Sequence, residues 1–189
     1  HSGGEDNIFP HHECEIAQSR AASGAERFAR YWFHTRHLVV EGEKMSKSKG
    51  NFFTVRDILA KGATPAALRL ELVRTHYRQN ANFTLQGLRD CGRMIDRWCR
   101  LDEQLAAGRV VPGEGPGPLE AALGGFTEAV SDDLHLARAI GVLSEAVNVS
   151  RLDDAAVSGD AARAATERAA LRKMDEILGV LDRNTAIEP

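Results

Sequence analysis

Side chains that commonly bind metal ions cluster in the segment 9–15, which reads Phe-Pro-His-His-Glu-Cys-Glu. Residues three or four apart on a helix share a face, so two side chains here can reach one ion. The spacing allows three pairs and does not choose among them: His11 with Glu15, His12 with Glu15, and His11 with Cys14. A zinc site normally takes three or four protein ligands, so further ligands would come from elsewhere, and a metal-free surface cluster is the alternative.

A second candidate is the loop 44–51, in which three lysines and two serines fall within eight residues and a Gly-Asn pair ends the loop. Ammonium and hydroxyl groups at this density suit the phosphates of a nucleotide, while an ordinary solvated loop is the alternative. We therefore expect a polyphosphate-binding loop at this point. The residues concerned are Lys44, Ser46, Lys47, Ser48, Lys49, Gly50 and Asn51.

The composition is that of a soluble globular protein, with 43% hydrophobic and 27% charged residues in a chain of 189. No apolar run approaches the roughly 20 residues that span a bilayer, so we expect no membrane partner. The 3 cysteines are too few for a disulfide framework, and the first residues do not resemble a secretory signal. These features predict a cytoplasmic protein with reduced thiols.

Charge is unevenly distributed along the chain. Residues 1–110 carry 17 Lys and Arg against 13 Asp and Glu, whereas residues 111–189 carry 7 against 14. The interval 44–109 holds 13 basic and 6 acidic residues, a local excess of plus 7. Such an excess suits a polyanion such as RNA or the phosphates of ATP, while an ordinary solvated surface is the alternative.

Helices must position most of these side chains. Helix caps, periodic apolar residues and Gly or Pro breakers predict one strand, at 38–40, before the lysine-rich loop and only helices after it. The stretch 108–118 holds four glycines and three prolines, which predicts an exposed linker. Cys91 and Cys99 fall on the apolar face of the longest helix and are expected in the core. The predicted helices cover 11–22, 54–61, 66–76, 84–107, 119–129, 134–149 and 161–181.

The string 44–48, KMSKS in one-letter code, resembles the signature loop of class I aminoacyl-tRNA synthetases. Four further strings make the chain similar to cysteinyl-tRNA synthetases, strongly to about residue 107 and weakly beyond. They are HSGGED at 1–6, FPHHE at 9–13 with EIAQ at 15–18, YWFH at 31–34, and FFTVRD at 52–57.

The resemblance implies a mostly α fold in four parts. Residues 1–53 would be the C-terminal end of a class I, Rossmann-type catalytic domain, and residues 54–107 a helical connecting region that contacts the tRNA stem. A linker at 108–118 would lead to an α-helical bundle at 119–189 that contacts tRNA. The chain would lack the N-terminal half of the catalytic domain and would by itself be unable to make the adenylate.

The resemblance also assigns roles at the amino-acid end of the site. It implies that His11 and Glu15 bind a Zn²⁺ that holds the substrate cysteine thiolate, with the remaining ligands outside this chain. It further implies that His1 and His34 line the amino-acid pocket. This chain departs from the family in having Ser2 in place of glycine and Cys14 in place of asparagine.

At the nucleotide end, the resemblance implies that Lys47 stabilises the activation transition state at the phosphates of ATP, which arrives with Mg²⁺, and that Lys44 lies alongside. Other residues implied to contact ATP are Ser46, Ser48, Gly3, Gly4 and Asp6. The implied partners are cysteine, ATP and tRNA(Cys), and we expect a monomer.

Two other functions compete with this interpretation. One is the cysteine ligase of the mycothiol pathway, which shares the catalytic motifs but joins cysteine to an amino sugar. The other is a noncatalytic RNA-binding module. The run Asn51-Phe52-Phe53-Thr54 and the basic helices after it favour the synthetase.

Four arginines on the longest predicted helix form one stripe, on a different side from its apolar face. We expect that this stripe can contact tRNA phosphates. The alternative is a solvated face whose arginines pair with Asp90, Asp96 and Asp102. The stripe consists of Arg89, Arg93, Arg97 and Arg100.

Overall fold

The computed structural model describes residues 1–46, 48, 50–150 and 159–182. Helices dominate this part of the chain, and none of the helices described there combines the length and apolar character needed to cross a bilayer. The α-helices are α1 (Glu13–Ser23), α2 (Val55–Ala60), α3 (Pro65–Val73), α4 (Leu85–Ala106), α5 (Pro118–Ser131), α6 (Leu136–Val149) and α7 (Ala161–Leu178).

Five short strands form two small sheets. They are β1 (Ser2–Gly4), β2 (Phe33–Thr35), β3 (Leu38–Val40), β4 (Glu43–Lys44) and β5 (Ala81–Phe83). In the first sheet β1 runs parallel to β2, with Gly3 opposite His34. In the second sheet β3 lies between antiparallel β4 and parallel β5.

The predicted strand at 38–40 is β3, but β1, β2 and β4 were not predicted, and β5 corrects the prediction that only helices follow the lysine-rich loop. Its three residues, Ala81 to Phe83, are too few to show a period-two pattern, and their pairing partner β3 lies about forty residues earlier. The strand therefore forms through a long-range pairing that the local sequence does not report. The pairing fixes the start of α4 against the strand that leads to the lysine-rich loop.

Threonines cap the first three helices after the loop, α2, α3 and α4, as predicted. Thr54 and Asp57 form a reciprocal capping box at α2, Thr64 accepts from the backbone N–H of Ala67 ahead of Pro65, and Thr84 caps α4. All the helices except α5 are shorter than predicted, and α7 ends at Leu178 instead of residue 181. Helix α1 follows a wide turn at Ile8–His12, and α3 ends at Val73 because the chain then turns toward β5.

The core is built by α2 to α7. The largest fully buried side chains include Trp98 on α4, Phe126 on α5, and Leu171 and Met174 on α7. Helix α4 packs on α3 and α7, while α5 packs on α6 and α7. Cys91 and Cys99 are both buried, as predicted.

The stretch 108–118 is only partly the exposed linker that its glycines and prolines predict. Residues 112–116 are exposed, but Val110 is 3% exposed and belongs to the core. Arg163 on α7 donates hydrogen bonds to the carbonyl oxygens of Val111, Gly113 and Gly115. One arginine therefore ties the stretch to α7.

Candidate active site

His12 lies at the centre of the N-terminal cluster and is 4% exposed. Its Nδ1 is 2.8 Å from Nε2 of His34, and its Nε2 is 4.0 Å from a carboxylate oxygen of Glu15. The close approach depends on Gly3, where a Cβ atom would lie only 3.0 Å from the His12 ring. The pairing of β1 with β2 and the turn Ile8–His12 ahead of α1 therefore bring two imidazoles together.

His1 closes the cluster from the other side. Its Nε2 is 2.8 Å from Oε2 of Glu15, and its ring lies edge-on to the rings of His12, Phe28 and Trp32. Trp32 also stacks parallel to the His34 ring, at 5.9 Å between centroids. The resulting cluster joins three imidazoles and one carboxylate, with the rings of Phe28 and Trp32 beside them. The family resemblance implies that His1 and His34 line the amino-acid pocket, and both rings lie against the His12 ring.

The proposed zinc ligands are also neighbours. Nε2 of His11 lies 3.7 Å from Oε1 of Glu15. Two donors on one tetrahedral zinc ion, each about 2.0–2.2 Å from the metal, lie roughly 3.3 Å apart, so this pair fits zinc with little movement. The His11 side chain is 63% exposed, which leaves it open to ligands from outside the described residues.

A second donor set competes with that pair. His1, His12 and Glu15 each offer one donor atom, and the three atoms lie within 4.8 Å of one another. Glu15 belongs to both sets. The sets differ in their imidazole ligands, which are His11 in the first set and His1 and His12 in the second. Cys14, the third candidate in the sequence, is exposed and lies outside this donor group.

The glycine-rich strand β1 lies against the histidine cluster, with Gly3 next to the His12 ring. Gly3 and Gly4 are half-buried in β1, opposite His34 and Thr35. A Cβ atom on Gly4 would lie 2.4 Å from Oδ1 of Asp6, so glycine is needed for this carboxylate to fold back over the strand. Asp6 itself is exposed. The three predicted ATP contacts thus lie together beside the histidine pocket.

Asn51 organises the lysine-rich loop. Its Oδ1 accepts a 2.8 Å hydrogen bond from the backbone N–H of Ser46, and its Nδ2 donates to the carbonyl oxygen of Lys44 at 3.2 Å. The hydroxyl oxygens of Ser46 and Ser48 lie 2.8 Å apart. Lys44 is exposed on β4, and Lys47, the predicted catalytic lysine, lies outside the described residues.

The arginine stripe of α4 is largely open to solvent. Arg93 pairs with Asp90, and Arg89 donates to the side-chain oxygen of Gln86. Asp102 turns away from the stripe and instead binds Arg168 and Arg172 on α7. Local pairing with aspartate therefore occurs at Arg93 and fails at Asp102.

Beside the stripe, Arg89 and Arg93 border a groove of about 580 Å³, together with Lys61. Of the other two stripe residues, Arg97 is half-buried and Arg100 is exposed.

Sequence reasoning missed two features of the site. It placed His12 only in an open alternative, although the short distance from His12 to Glu15 follows from their separation of three residues on a helix. It gave no role to Trp32, whose indole ring forms one wall of the pocket. The sequence feature that could have indicated a role for Trp32 is its position in four consecutive residues with ring side chains, 31–34.

Residues 1–92 match the family described as "tRNA synthetases class I (C) catalytic domain". The fold agrees with this class. A leucyl-tRNA synthetase of Agrobacterium radiobacter K84, solved with tRNA and LeuAMS, has a TM-score of 0.68 at 20% identity over 98% of this chain and 28% of its own. A methionyl-tRNA synthetase of Mycobacterium tuberculosis, solved with methionyl-adenylate, has a TM-score of 0.59 at 22% identity over 96% of this chain and 40% of its own.

Curated cysteine–tRNA ligases are similar across most of the chain. The Chlamydia abortus enzyme is 38% identical over 100% of this chain and 40% of its own length, and the Salinibacter ruber enzyme 41% identical over 96% and 38%. The Brachyspira hyodysenteriae enzyme is 44% identical over 76% of this chain and 31% of its own length. The chain belongs to the cysteine–tRNA ligase family, and it spans at most about 40% of the length of these relatives.

Proposed function

We propose that this chain carries the amino-acid pocket and the signature loop of a cysteine–tRNA ligase. The enzyme of which it is part would activate cysteine with ATP and transfer it to tRNA(Cys). The observation that carries the proposal is the cluster of His1, His12, His34 and Glu15, which lies where β1, β2 and the start of α1 meet, with Gly3 against the His12 ring. The names of the relatives support the same reaction.

The pocket residues suit the recognition of a small thiol amino acid. His11 and Glu15 would hold Zn²⁺ together with ligands from outside the described residues. Zinc binds thiolate far better than hydroxyl, so an ion held there would separate cysteine from serine, which pocket shape alone distinguishes poorly. His1 and His34 would then orient the rest of the amino acid between the zinc side and β1.

The lysine-rich loop would act on ATP by electrostatics. Lys47 would neutralise the charge that develops on the departing pyrophosphate, with Lys44 beside it and Mg²⁺ accompanying the nucleotide. Asn51 supports this role because it ties the loop to Lys44 and Ser46. The hydroxyls of Ser46 and Ser48 would donate to phosphate oxygens, while Gly3, Gly4 and Asp6 would border the adenylate.

The helical part would carry the tRNA. In this division, residues 1–53 end a Rossmann-type catalytic domain, residues 54–107 connect it to the tRNA stem, and residues 119–189 form a bundle beyond the linker at 108–118. The open arginine stripe, with its bordering groove, supports a phosphate-contacting surface on α4.

Neither competing function is favoured by the relatives, which are cysteine–tRNA ligases at 36–44% identity. A cysteine ligase acting on an amino sugar would need the histidine pocket but would not need the arginine stripe. A noncatalytic RNA-binding module would need the stripe but not the His12–His34 pair.

Cysteine-dependent ATP–pyrophosphate exchange by a full-length enzyme carrying this sequence tests the proposal. Lys47→Ala should lower the exchange rate by about 10²–10³, the effect of removing one preorganised donor, with little change in cysteine affinity. The matched control is Lys173→Ala, which removes an exposed lysine that pairs with Glu176. An unchanged exchange rate in Lys47→Ala would contradict the proposal.

Zinc titration of the 189-residue chain tests the metal ligands. We expect weak binding that a strong chelator removes, because two ligands leave the ion open to exchange. His11→Ala and Glu15→Gln should each abolish this binding. If His12→Ala abolishes it and His11→Ala does not, the ion instead uses the set of His1, His12 and Glu15.

Salt dependence of tRNA binding tests the stripe. Replacing Arg93 and Arg97 by Gln in the full-length enzyme should weaken tRNA binding and flatten its salt dependence by about one to two counterions. Cysteine activation without tRNA should not change. Arg20→Gln on α1 is the control, and an unaltered salt slope in the double variant would show that these arginines only solvate α4.

A further inference from the structure

The corner between α5 and α6 reaches across to the turn that follows α3. The carboxylate of Asp133 accepts a 2.6 Å hydrogen bond from Nε of Arg78 and a 2.5 Å hydrogen bond from the hydroxyl of Tyr77. Its carbonyl oxygen is 3.0 Å from Nε2 of His76. One residue of the helical part thus binds three consecutive residues, His76, Tyr77 and Arg78, which we name the HYR turn.

The HYR turn also contacts strand β2 and the residue that follows it. The Tyr77 ring stacks on the Phe33 ring with 4.3 Å between centroids, and the carbonyl oxygen of Tyr77 accepts a 2.9 Å hydrogen bond from the backbone N–H of Arg36. Successive side chains of a strand point to opposite faces. A ring that fixes Phe33 on one face of β2 therefore fixes the direction in which His34 points on the other.

The backbone at this corner is held in an unusual conformation. Asp133 and Leu134 have φ angles of 51° and 57°, in the left-handed region that residues with side chains rarely adopt. Such strain persists where surrounding contacts determine it. Leu134 lies with Phe33 and Tyr77 around a cavity of about 330 Å³, so the strained corner and the back of β2 border the same space.

We propose that Asp133 is a positioning residue for the amino-acid pocket, acting through Tyr77 and Phe33 on the strand that carries His34. The inference rests on the proposed function, because it assigns His34 to the cysteine pocket. Three contacts connect the α5–α6 corner to the histidine cluster. They join Asp133 to Tyr77, Tyr77 to Phe33, and His34 to His12.

The ionisation states of Asp133 and Tyr77 favour this contact at neutral pH. Hydrogen bonds from Arg78 and Tyr77 lower the pKa of the Asp133 carboxyl to about 2. The same contact raises the pKa of the Tyr77 hydroxyl. The carboxylate therefore stays charged and the hydroxyl stays protonated at neutral pH, which is the state in which the contact forms.

Fluorine NMR of the 189-residue chain labelled with fluorotryptophan tests the positioning directly. The chain has 2 tryptophans, Trp32 in the pocket against His34 and Trp98 buried in the core. In Asp133→Asn we expect the Trp32 resonance to shift or broaden while the Trp98 resonance stays in place. Asparagine tolerates the left-handed backbone, so the substitution removes the charge and keeps the corner. Asp132→Asn is the matched control.

Should Asp133→Asn disturb the Trp98 resonance as well, Tyr77→Phe provides the same test, because it keeps the ring on Phe33 and removes only the hydroxyl. A Trp32 resonance that is unchanged in a folded Asp133→Asn or Tyr77→Phe chain overturns the proposal.

Kinetics of the full-length enzyme separate positioning from general damage. Asp133→Asn should raise the KM for cysteine in pyrophosphate exchange by roughly 2- to 30-fold, the range for substitutions along packed contacts between sites, and leave the KM for ATP unchanged. Equal changes in both KM values would show a merely structural role. Absence of exchange in the unsubstituted enzyme would contradict the proposed function, and the fluorine spectra would still decide whether Asp133 positions β2.

Discussion

The first 53 residues and the helical remainder of the described chain are built on opposite principles. Among the described residues up to 53, only His12 and Val40 are buried, whereas 28 of the 29 buried hydrophobic residues follow from Ile58 onward. The N-terminal part thus presents polar and aromatic groups at half-exposed positions, and the helical part supplies the hydrophobic stabilisation. The histidine cluster is held mainly by hydrogen bonds and ring contacts, while the helical part is held mainly by close packing of its core.

Two connections between the parts bear on the geometry of the histidine cluster. Strand β3 pairs with β5, which leads directly into α4. On the other edge, Asp133 holds the HYR turn against β2. The first connection buries Val40 and Phe83, and the second combines polar contacts of Asp133 with the stacking of Tyr77 on Phe33. A site of this kind is expected to lose geometry before the scaffold loses stability.

The cysteines give the largest expected contrast between the two parts. Cys14 is exposed on α1, whereas Cys91 is buried on α4, where desolvation and a hydrogen bond to Glu71 raise the pKa of its thiol to about 12. At pH 8 the thiolate fraction of Cys91 is therefore only about 10⁻⁴. Native alkylation followed by mass spectrometry should modify Cys14 at least about 10³ times faster than Cys91. Comparable rates in the folded chain would show that the core opens readily.

The two tryptophans test the same contrast in stability. Trp98 is 1% exposed in the core, and Trp32 is 37% exposed in the pocket. Trp98→Ala should lower the free energy of unfolding by about 3–5 kcal/mol through lost burial and the cavity left behind. Trp32→Ala should cost clearly less and instead alter the histidine cluster. Urea unfolding of both variants measures the difference, and equal losses would erase the distinction between scaffold and site.

The helical scaffold could be predicted from sequence because its signals are local. The hydroxyls of Thr54, Thr64 and Thr84 cap the N-termini of α2, α3 and α4, which is a local signal in the sequence. The spacing of apolar residues on α4 likewise predicts that Cys91 and Trp98 are buried. Strand β5 could not be predicted, since three residues carry no period and the partner strand is distant. The burial of Val110 was missed for a similar reason, because Arg163 and the core, rather than the local glycines, decide it.

The sequence predicted which side chains lie near one another better than it predicted how they are arranged, and their roles stay predictions. The motifs named His1, His11, Glu15 and His34, and the structure gathers them in one cluster. The central place of His12 depends on how β1 approaches α1, which no spacing within one segment determines. The contact of Asp133 with Tyr77 joins residues 56 apart and was not visible in either segment.

A buried carboxylate on α7 gives a smaller but specific effect. Glu167 is 1% exposed, and its two oxygens accept hydrogen bonds from the backbone N–H groups of Leu119 and Glu120 at the start of α5. Glu167→Gln should lower the free energy of unfolding by about 1–3 kcal/mol, because the amide can satisfy only one of the two donors and loses the favourable charge at the helix start.

Glu176→Gln is the matched control for this variant, because its side chain is exposed and pairs with the exposed Lys173. We expect it to change stability by less than about 0.5 kcal/mol. Equal effects of the two substitutions in denaturant unfolding would mean that the buried hydrogen bonds of Glu167 contribute nothing beyond an exposed ion pair.

The smallest expected effect lies at the corner that connects the two parts, and its signature is its pH dependence. Folding lowers the pKa of Asp133 from its usual value near 4 to about 2, through hydrogen bonds from Arg78 and Tyr77. A carboxyl with a lowered folded-state pKa adds stability above its unfolded pKa and loses that contribution as the pH falls through its folded pKa. The melting temperature of the unsubstituted chain should therefore exceed that of Asp133→Asn by a constant margin from about pH 5 to 7. The part of this difference in melting temperature that depends on the charge should disappear between about pH 4 and pH 2. Tyr77→Phe should show a smaller difference that declines over the same interval.

Calorimetry of the unsubstituted chain and both variants at intervals across this pH range measures these differences. A difference in melting temperature that does not change with pH would show that the Asp133 charge does not stabilise the contact between the α5–α6 corner and the HYR turn.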